Sequence, residues 1–249
     1  MSGHSHWAGI KYKKAVIDAR RGKIWSKLSR MIIVAAKNGG GDPAANLSLR
    51  YAIDKAKAAN MPKDTIEKAI KKGTGEVEGV NFEEVLYEGY GPGGVAIMVE
   101  ALTDNRNRTT PEIKRLFEKH GCSLGTSGCV AWMFSKKGLI TVGTGETSEE
   151  GLMEIAMAEG ADDMQTTGGV YEITCEQSAY EALKNALKER EIPTQVAEIS
   201  MVPQNTVAVS DERTARKIIS LMEAFDDHDD VQNVYANFDI PDEIVSRIS

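Results

Sequence analysis

The stretch LITVGTGETSEEGLMEIAMAEGADDMQTTGGVYEITC, residues 139–175, carries the patterns that decide the fold. LITV is a short apolar run typical of a strand, and residues 148–159 are predicted to form a helix. DDMQT, a Gly-Gly pair and VYEITC then predict a hairpin. Downstream, residues 177–190 predict a second helix and TQVAEISMV a last strand. The resulting order, β-α-β-β-α-β, is that of a ferredoxin-like unit.

Strand and helix segments flank this unit on both sides. Before it, EEVLYEGY and GVAIMVEALT predict a hairpin through GPGG, and a helix over about residues 111–120 and a strand over residues 129–134 follow. After it come NTVAVS, a helix over residues 211–225 and the strand VQNVYANF. We therefore expect residues 82–134 and 203–249 to build one discontinuous α/β domain, into which residues 135–202 are inserted.

The first 75 residues are predicted to be helical. Apolar residues recur at helical spacing from Ile24 to Ala35, and NGGGDP ends that helix. Helices over residues 46–59 and 62–73 follow, and the glycine-rich segment 73–81 is a predicted linker. The predicted fold class is α+β with three domains: a helical domain over residues 1–75 that starts with an arm expected to be flexible, and two α/β domains, at least one of them ferredoxin-like.

Composition bounds the class of protein. Of the 249 residues, 41% are apolar and 27% charged, and no apolar run reaches the ~18–20 residues that span a bilayer, so we expect no membrane contact. Three cysteines without a CxxC pair favour a reducing compartment, and the N-terminus lacks a secretory signal. We expect a cytoplasmic protein; its oligomeric state stays open.

Charge is unevenly distributed along the chain. Residues 1–75 hold 16 Lys or Arg against 5 Asp or Glu, whereas residues 76–249 hold 14 against 32. Such asymmetry favours a polyanion, above all a nucleic acid, as the partner of the basic part. The alternative is that the basic domain docks on acidic neighbours in its own chain. Residues 135–202, with 5 basic against 13 acidic residues, are predicted to contact protein or act as a spacer.

Cations on the first domain form the first candidate site. On a helical wheel Lys23, Lys27, Arg30 and Lys37 lie nearly opposite the apolar stripe and define a cationic ridge. The arm adds cations with histidine and tryptophan, which suit phosphates and unpaired bases. His4-x-His6 lacks further ligands, so we predict no metal site. The predicted nucleic-acid-binding residues here are His4, His6, Trp7, Lys11, Lys13, Lys14, Arg20, Arg21, Lys23, Lys27 and Arg30.

The segment TDNRNRTTPEIK, residues 103–114, is the second candidate site. Thr109 or Thr110 is predicted to cap a helix that has Pro111 in its first turn. Anions are favoured near such a terminus, and two arginines without evident partners suit phosphate. The candidates are Asn105, Arg106, Asn107 and Arg108; the alternative is a capped loop with no ligand.

Other motifs predict no chemistry. GYGPGG matches G-x-G-x-x-G, but a strand follows where a dinucleotide site needs a helix. DDHDD, residues 226–230, is predicted to be a solvated loop, and Cys122, Cys129 and His120 are assigned to packing. We therefore predict no catalytic residue, no cofactor and no enzyme activity.

Four segments give the chain a resemblance to the YebC family: GHSHWAGIKYKKAVIDARRGKIWSKL, NMPKDTIEKAIKKG, YEGYGPGGVAIMVEALTDNRNRT and LGTSGCVAWMFSKKG. The resemblance covers essentially the whole length. It implies a cytoplasmic protein with a helical domain and two α/β domains, and neither a catalytic site nor a cofactor. Bacterial members are described as DNA-binding transcriptional regulators and are also connected with ribosomes stalled on proline-rich stretches; mitochondrial relatives are translational activators of cytochrome oxidase.

Three functions are therefore compared. The favoured hypothesis is a non-enzymatic nucleic-acid-binding regulator of the YebC type that controls transcription on DNA. Its rival version is a translation factor that binds ribosomal RNA or the ribosome and helps translation of proline-rich stretches. The chain has no helix-turn-helix signature, and phosphate binding does not distinguish DNA from RNA. A protein-interaction adaptor working through the acidic domains is the second hypothesis, and a small-molecule enzyme, which rests on the cleft expected between domains, is the third.

Overall fold

The computed structural model describes residues 21–167 and 169–248, with three helices at the start. These are α1 (Arg21–Gly39), α2 (Leu47–Ala58) and α3 (Lys63–Thr74), as predicted. Asn46 caps α2 by accepting a hydrogen bond from the Leu49 N–H, and Gly75 ends α3 with φ 81°. A Cβ on Gly73 would lie 2.4 Å from the Ile33 carbonyl oxygen, so only glycine permits this approach of α3 to α1. We call α1–α3 the helical unit.

The second unit is a four-stranded sheet covered on one face by helices. Its elements are β1 (Glu83–Tyr90), β2 (Ala96–Thr103), α4 (Arg106–Lys119), β3 (Ser123–Leu124), α7 (Glu212–Asp226) and β9 (Val231–Ala236). The strand order is β3-β1-β2-β9, and β1 and β2 form the predicted antiparallel hairpin. Phe117 of α4 and Phe225 of α7 are fully buried, with ring centroids 4.8 Å apart. They lie in the core between the helices and the sheet.

The third unit confirms the ferredoxin-like order. It comprises β4 (Phe134–Gly143), α5 (Glu149–Ala158), β5 (Ala161–Thr167), β6 (Val170–Cys175), α6 (Tyr180–Glu189) and β7 (Thr194–Pro203). The strand order is β5-β6-β4-β7 with antiparallel pairs throughout, so the first and third strands of the unit are central. Central Ile140 and Ile173 are opposite each other and fully buried against the helices.

Small elements complete the chain. β8 (Val207–Ala208) pairs in parallel with β10 (Phe238–Asp239), and α8 (Asp242–Ile248) packs partly on the core of the second unit. None of the helices in the described part of the chain is both long and apolar enough to span a membrane. The predicted α+β class is confirmed, whereas the domain limits 1–75, 82–134 plus 203–249, and 135–202 stay predictions.

One predicted strand is wrong. Residues 129–134 were expected to form a separate strand, but Ala131–Met133 is a 3₁₀ turn and the strand begins at Phe134. The buried carboxylate of Glu88 accepts hydrogen bonds from the N–H groups of Gly128, Val130 and Ala131, at 2.7, 2.9 and 2.7 Å. Because these amides bind a side chain, they are not available to a β-ladder.

Candidate nucleic-acid interface

The predicted interface falls partly outside the described residues. His4, His6, Trp7, Lys11, Lys13, Lys14 and Arg20 lie there, and Arg21 is described only as the first residue of α1. Among the predicted nucleic-acid-binding residues, the structure therefore locates the side chains of Lys23, Lys27 and Arg30 and those of residues 105–108.

The cationic ridge contacts an acidic segment of its own chain. Lys23 Nζ donates to the Asp227 carbonyl at 2.9 Å and Lys27 Nζ to the Asp226 carbonyl at 2.6 Å, both at the end of α7. Arg30 donates to the Asp229 carbonyl and pairs with the Asp230 carboxylate at 3.1 Å. A lysine near a helix C-terminus is stabilised there because it can donate to the unpaired carbonyls and because the helix dipole is negative at that end. For Lys23, Lys27 and Arg30, the structure therefore agrees with the alternative that the basic domain docks on acidic residues of its own chain.

Lys37, which the wheel placed on the same side, has a different partner. Its Nζ donates to the side-chain carbonyl of Asn81, in the segment that joins the helical unit to β1. Arg30 also lies 5.6 Å from the ring centroid of Phe82, a distance at which a guanidinium and an aromatic ring attract. The ridge thus runs along the joint between the first two units.

Asp230 is the centre of this contact. Its residue is 2% exposed, and one carboxylate oxygen accepts from Thr109 Oγ1 at 2.6 Å and from Arg108 Nη2 at 2.6 Å. The other oxygen faces Arg30. Burial alone would raise the pKa of Asp230, but the bonds from Thr109 and Arg108 and the charges of Arg108 and Arg30 lower it below its ordinary value. This carboxylate stays ionised at neutral pH.

The solvated-loop prediction for residues 226–230 is wrong at Asp230. Asp227 and Asp229 are exposed, as expected for an acidic run, but Asp230 and Thr109 are buried. Nothing in the run DDHDD marks which aspartate turns inward. Thr109 and the arginines that approach from α1 and α4 make burial of this charge favourable.

The segment at residues 105–108 differs from its prediction in two ways. The cap of α4 is Asn105, whose Oδ1 accepts from the Arg108 N–H at 3.1 Å, not Thr109 or Thr110. Arg108 is also not without partners, since it bonds to Asp104 at 3.0 Å and to Asp230. The side chain of Arg106 is exposed and has no hydrogen-bond or ion-pair partner among the described residues.

Asn107 completes that segment. It lies exposed in the first turn of α4, beside Arg106. Asn105 is used as a cap and Arg108 as an ion-pair partner, whereas Arg106 and Asn107 keep their side chains open to solvent. All four residues are exposed, but only Arg106 and Asn107 have side chains without a hydrogen-bond or ion-pair partner among the described residues.

Several lysines on α2 and α3 are exposed, although none was a predicted site residue. Lys57, Lys68, Lys71 and Lys72 are exposed and have no hydrogen-bond or ion-pair partner among residues 21–167 and 169–248. Lys68 and Lys72 border an apolar groove between α1 and α3, floored by Ile33 and Ala69. The amphipathic period of α3, with Ile66 and Ala69 buried, was the signal available in the sequence.

Cys122, Cys129 and His120, the residues considered for catalysis, lie in packed surroundings. The Cys122 thiol donates to the His120 carbonyl at 3.3 Å, and His120 Nδ1 contacts the Leu116 carbonyl. Burial raises the pKa of the Cys122 and Cys129 thiols, which keeps them protonated. Among the described side chains, His, Cys, Asp and Glu form no group of three or more that could hold a metal ion.

A cleft separates α1 and α2 from the two sheets. It has a volume of about 720 Å³ beside the second unit, where Met31, Ser48 and Glu100 line it. Glu100 accepts hydrogen bonds from Asn233 Nδ2 and from the Tyr235 hydroxyl, both at 2.9 Å. That carboxylate is therefore used to hold β2 to β9.

Replacing Asp230 by Asn is expected to lower the free energy of unfolding by about 2–3 kcal/mol, because Arg30 and Arg108 lose their shared anion. Urea unfolding followed by circular dichroism measures the change. Asp229→Asn is the matched control: Asp229 is 70% exposed and 3.8 Å from Lys23, so we expect less than about 0.5 kcal/mol. Equal effects of the two variants would contradict the role given to Asp230.

Two family models match this chain. A family model described as the TACO1/YebC protein N-terminal domain matches residues 5–76, and one described as the TACO1/YebC second and third domain matches residues 82–238. A protein of Syntrophobacter fumaroxidans is 53% identical over 249 residues, all of both chains, and one of Desulfatibacillum aliphaticivorans is 54% identical over 247 residues, 99% of this chain and 100% of that one. Both are named "Probable transcriptional regulatory protein". The crystal structure of a conserved hypothetical protein from Aquifex aeolicus is 53% identical, with a TM-score of 0.85 over 95% of this chain and 97% of that one. The chain therefore belongs to the TACO1/YebC family.

Proposed function

We propose that this protein is a non-enzymatic regulator that binds nucleic acid through its basic N-terminal part and controls transcription on DNA. The observation that carries the proposal is the separation of charge, with 16 basic against 5 acidic residues in residues 1–75 of a chain of net charge −7. A local excess of cations of this size attracts the phosphate backbone and releases its counterions.

Two further observations support the proposal. The exposed lysines of α2 and α3 keep part of the basic charge open to solvent even though the cationic ridge is paired. The relatives that match over the whole chain are named as transcriptional regulators. In this proposal Lys57, Lys68, Lys71, Lys72 and Arg106 join the N-terminal arm as the phosphate-binding surface.

A translation factor on ribosomal RNA is the second candidate. The arm contains His4, His6, Trp7 and Tyr12 among its cations. Aromatic and imidazole rings stack on unpaired bases, which are common in folded RNA and rare in duplex DNA. This composition supports the RNA version, whereas charge alone supports both versions equally.

Binding measured over a range of salt tests the proposal. Fluorescence anisotropy of the full chain with a 30-base-pair DNA duplex and with a 30-nucleotide single-stranded RNA, between 50 and 300 mM KCl, is expected to show log Kd changing with log salt with a slope of about 4 or more. Sedimentation of cell lysate treated with DNase then separates the two versions. Migration with ribosomes after that treatment favours translation, and tighter binding to duplex DNA favours transcription. Undetectable binding to both probes at 50 mM salt would contradict the function.

A further inference from the structure

We propose that residues 226–230 act as an internal substitute for phosphate: they occupy the cationic ridge and are displaced when a nucleic-acid backbone binds there. The inference rests on the proposed function, since it needs a polyanion that competes for the same cations. The cationic ridge then has two alternative partners, residues 226–230 and a nucleic-acid backbone, and the structure shows the first of them.

The acidic segment offers the ridge what a phosphate backbone offers. Lys23 and Lys27 meet carbonyl oxygens at the C-terminal end of α7, where the helix dipole is negative. Lys23 also lies 3.8 Å from the Asp229 carboxylate, and Arg30 meets the Asp230 carboxylate at 3.1 Å. Spaced oxygens that carry partial or full negative charge thus face successive turns of one helix.

These contacts are of the kind that a competing anion can replace. The side chains of Lys23 and Asp229 are 51% and 70% exposed, and exposed ion pairs contribute only about 0–1 kcal/mol each. Water and salt reach such pairs, which screens them further. No apolar core is shared across this joint in the described chain: the buried cluster of the helical unit holds residues between Leu28 and Ala69 alone.

Displacement leaves no buried charge without a partner. Arg108 and Thr109, which hold Asp230 at 2.6 Å, belong to the second unit together with Asp230 itself. When Arg30 leaves, Asp230 keeps these two partners, and Arg30 exchanges one anion for another. The usual penalty for breaking a buried ion pair is therefore reduced on both sides.

The helical unit has a second attachment that can hold it while the ridge opens. Tyr51 of α2 packs edge-on against Tyr180 of α6, with centroids 5.7 Å apart, and Lys55 pairs with Glu198 at 2.6 Å. These contacts join α2 to the third unit, whereas the ridge joins α1 to the second. The segment at residues 75–82 joins α3 to β1 and can absorb the change.

The test combines one variant with one local readout in the full chain. Asp226, Asp227 and Asp229 are changed together to Asn, which removes three carboxylate charges beside the ridge and keeps the backbone carbonyls that Lys23, Lys27 and Arg30 contact. A matched triple, Glu150→Gln, Glu154→Gln and Glu189→Gln on exposed positions of the third unit, changes the net charge equally. We expect the first variant to bind the 30-nucleotide RNA and the 30-base-pair duplex about tenfold more tightly than wild type, and the second less than about twofold.

Hydrogen exchange separates displacement from simple repulsion. The amides of Asp227, His228 and Val231 are bonded to Glu223, Phe225 and His228 in the structure. Saturating oligonucleotide is expected to speed exchange over residues 223–231 of the wild type at least about threefold, because the segment loses its cationic partners.

Four results decide the proposal. Tighter binding by the Asn variant together with faster exchange in the wild type supports it. Where only the Asn variant binds, faster exchange over residues 223–231 of that variant supports it. Binding with unchanged or slower exchange over residues 223–231 overturns it and leaves the proposed function intact. Failure of both proteins to bind either probe overturns both.

Discussion

Changing Lys13, Lys14, Arg20 and Arg21 together to Glu is expected to abolish nucleic-acid binding at 150 mM salt and to lower the salt slope of the remaining binding by about 3–4. Each cation that neutralises a phosphate releases close to one counterion, and each glutamate in its place repels the backbone. Fluorescence anisotropy with the duplex and RNA probes gives both quantities. Arg21 is the first residue of α1, so circular dichroism of the variant has to show an unchanged helix content.

The matched control reverses four exposed cations of the acidic units: Lys119, Lys136, Lys188 and Lys217. It changes the net charge by the same amount, so a non-specific charge effect would weaken binding equally in both variants. We expect the control to retain binding within about threefold of the wild type. Unchanged affinity of the arm variant would remove the arm from the interface.

Replacing Glu88 by Gln is expected to loosen the segment at residues 125–131. The Glu88 residue is 2% exposed, and its carboxylate holds the amides of Gly128, Val130 and Ala131. A neutral amide keeps one acceptor oxygen and presents a donor where an acceptor is needed. The free energy of local opening should fall by about 2–4 kcal/mol, so these three amides should exchange with solvent about 100-fold faster.

Glu84→Gln, on an exposed position of the same strand, is the control and should change this exchange less than about twofold.

Burial alone would raise the pKa of Glu88, but its three backbone hydrogen bonds lower it below its ordinary value. A carboxyl whose folded pKa is depressed stabilises the fold above its unfolded pKa of about 4.3, and this contribution is lost as the pH falls through the folded pKa. The difference between wild type and Glu88→Gln should therefore shrink below about pH 4. Equal exchange in the two proteins at pH 7 would contradict the role of Glu88.

Local patterns were sufficient for most of the elements. The helices of the first unit and the β-α-β-β-α-β order of the third follow from apolar spacing, caps and glycines, which act within a few residues. The cap of α4 was misplaced because Asn105, Thr109 and Thr110 all suit an N-cap. The strand predicted near Cys129 does not form, and the reason is non-local. Glu88, about 40 residues away in sequence, accepts hydrogen bonds from the amides that the strand would need.

The predicted interface divides along the same line. The excess of cations in residues 1–75 is a property of composition, and the helical wheel placed Lys23, Lys27 and Arg30 on one face, as α1 has them. Their partners are about 200 residues away in sequence. Arg108 has Asp104 four residues before it, but its second partner, Asp230, is 122 residues away in sequence.

The sequence by itself determined the three-part organisation in outline, the order of helices and strands, and the basic character of the N-terminal part, because each depends on neighbouring residues or on totals. Only the tertiary structure decided which cations remain open to solvent, because a charge is neutralised through space by whatever the fold brings within about 4 Å. Residues 226–230 are an acidic run in the sequence. In the fold they are the counterpart of α1, with one aspartate buried between two arginines.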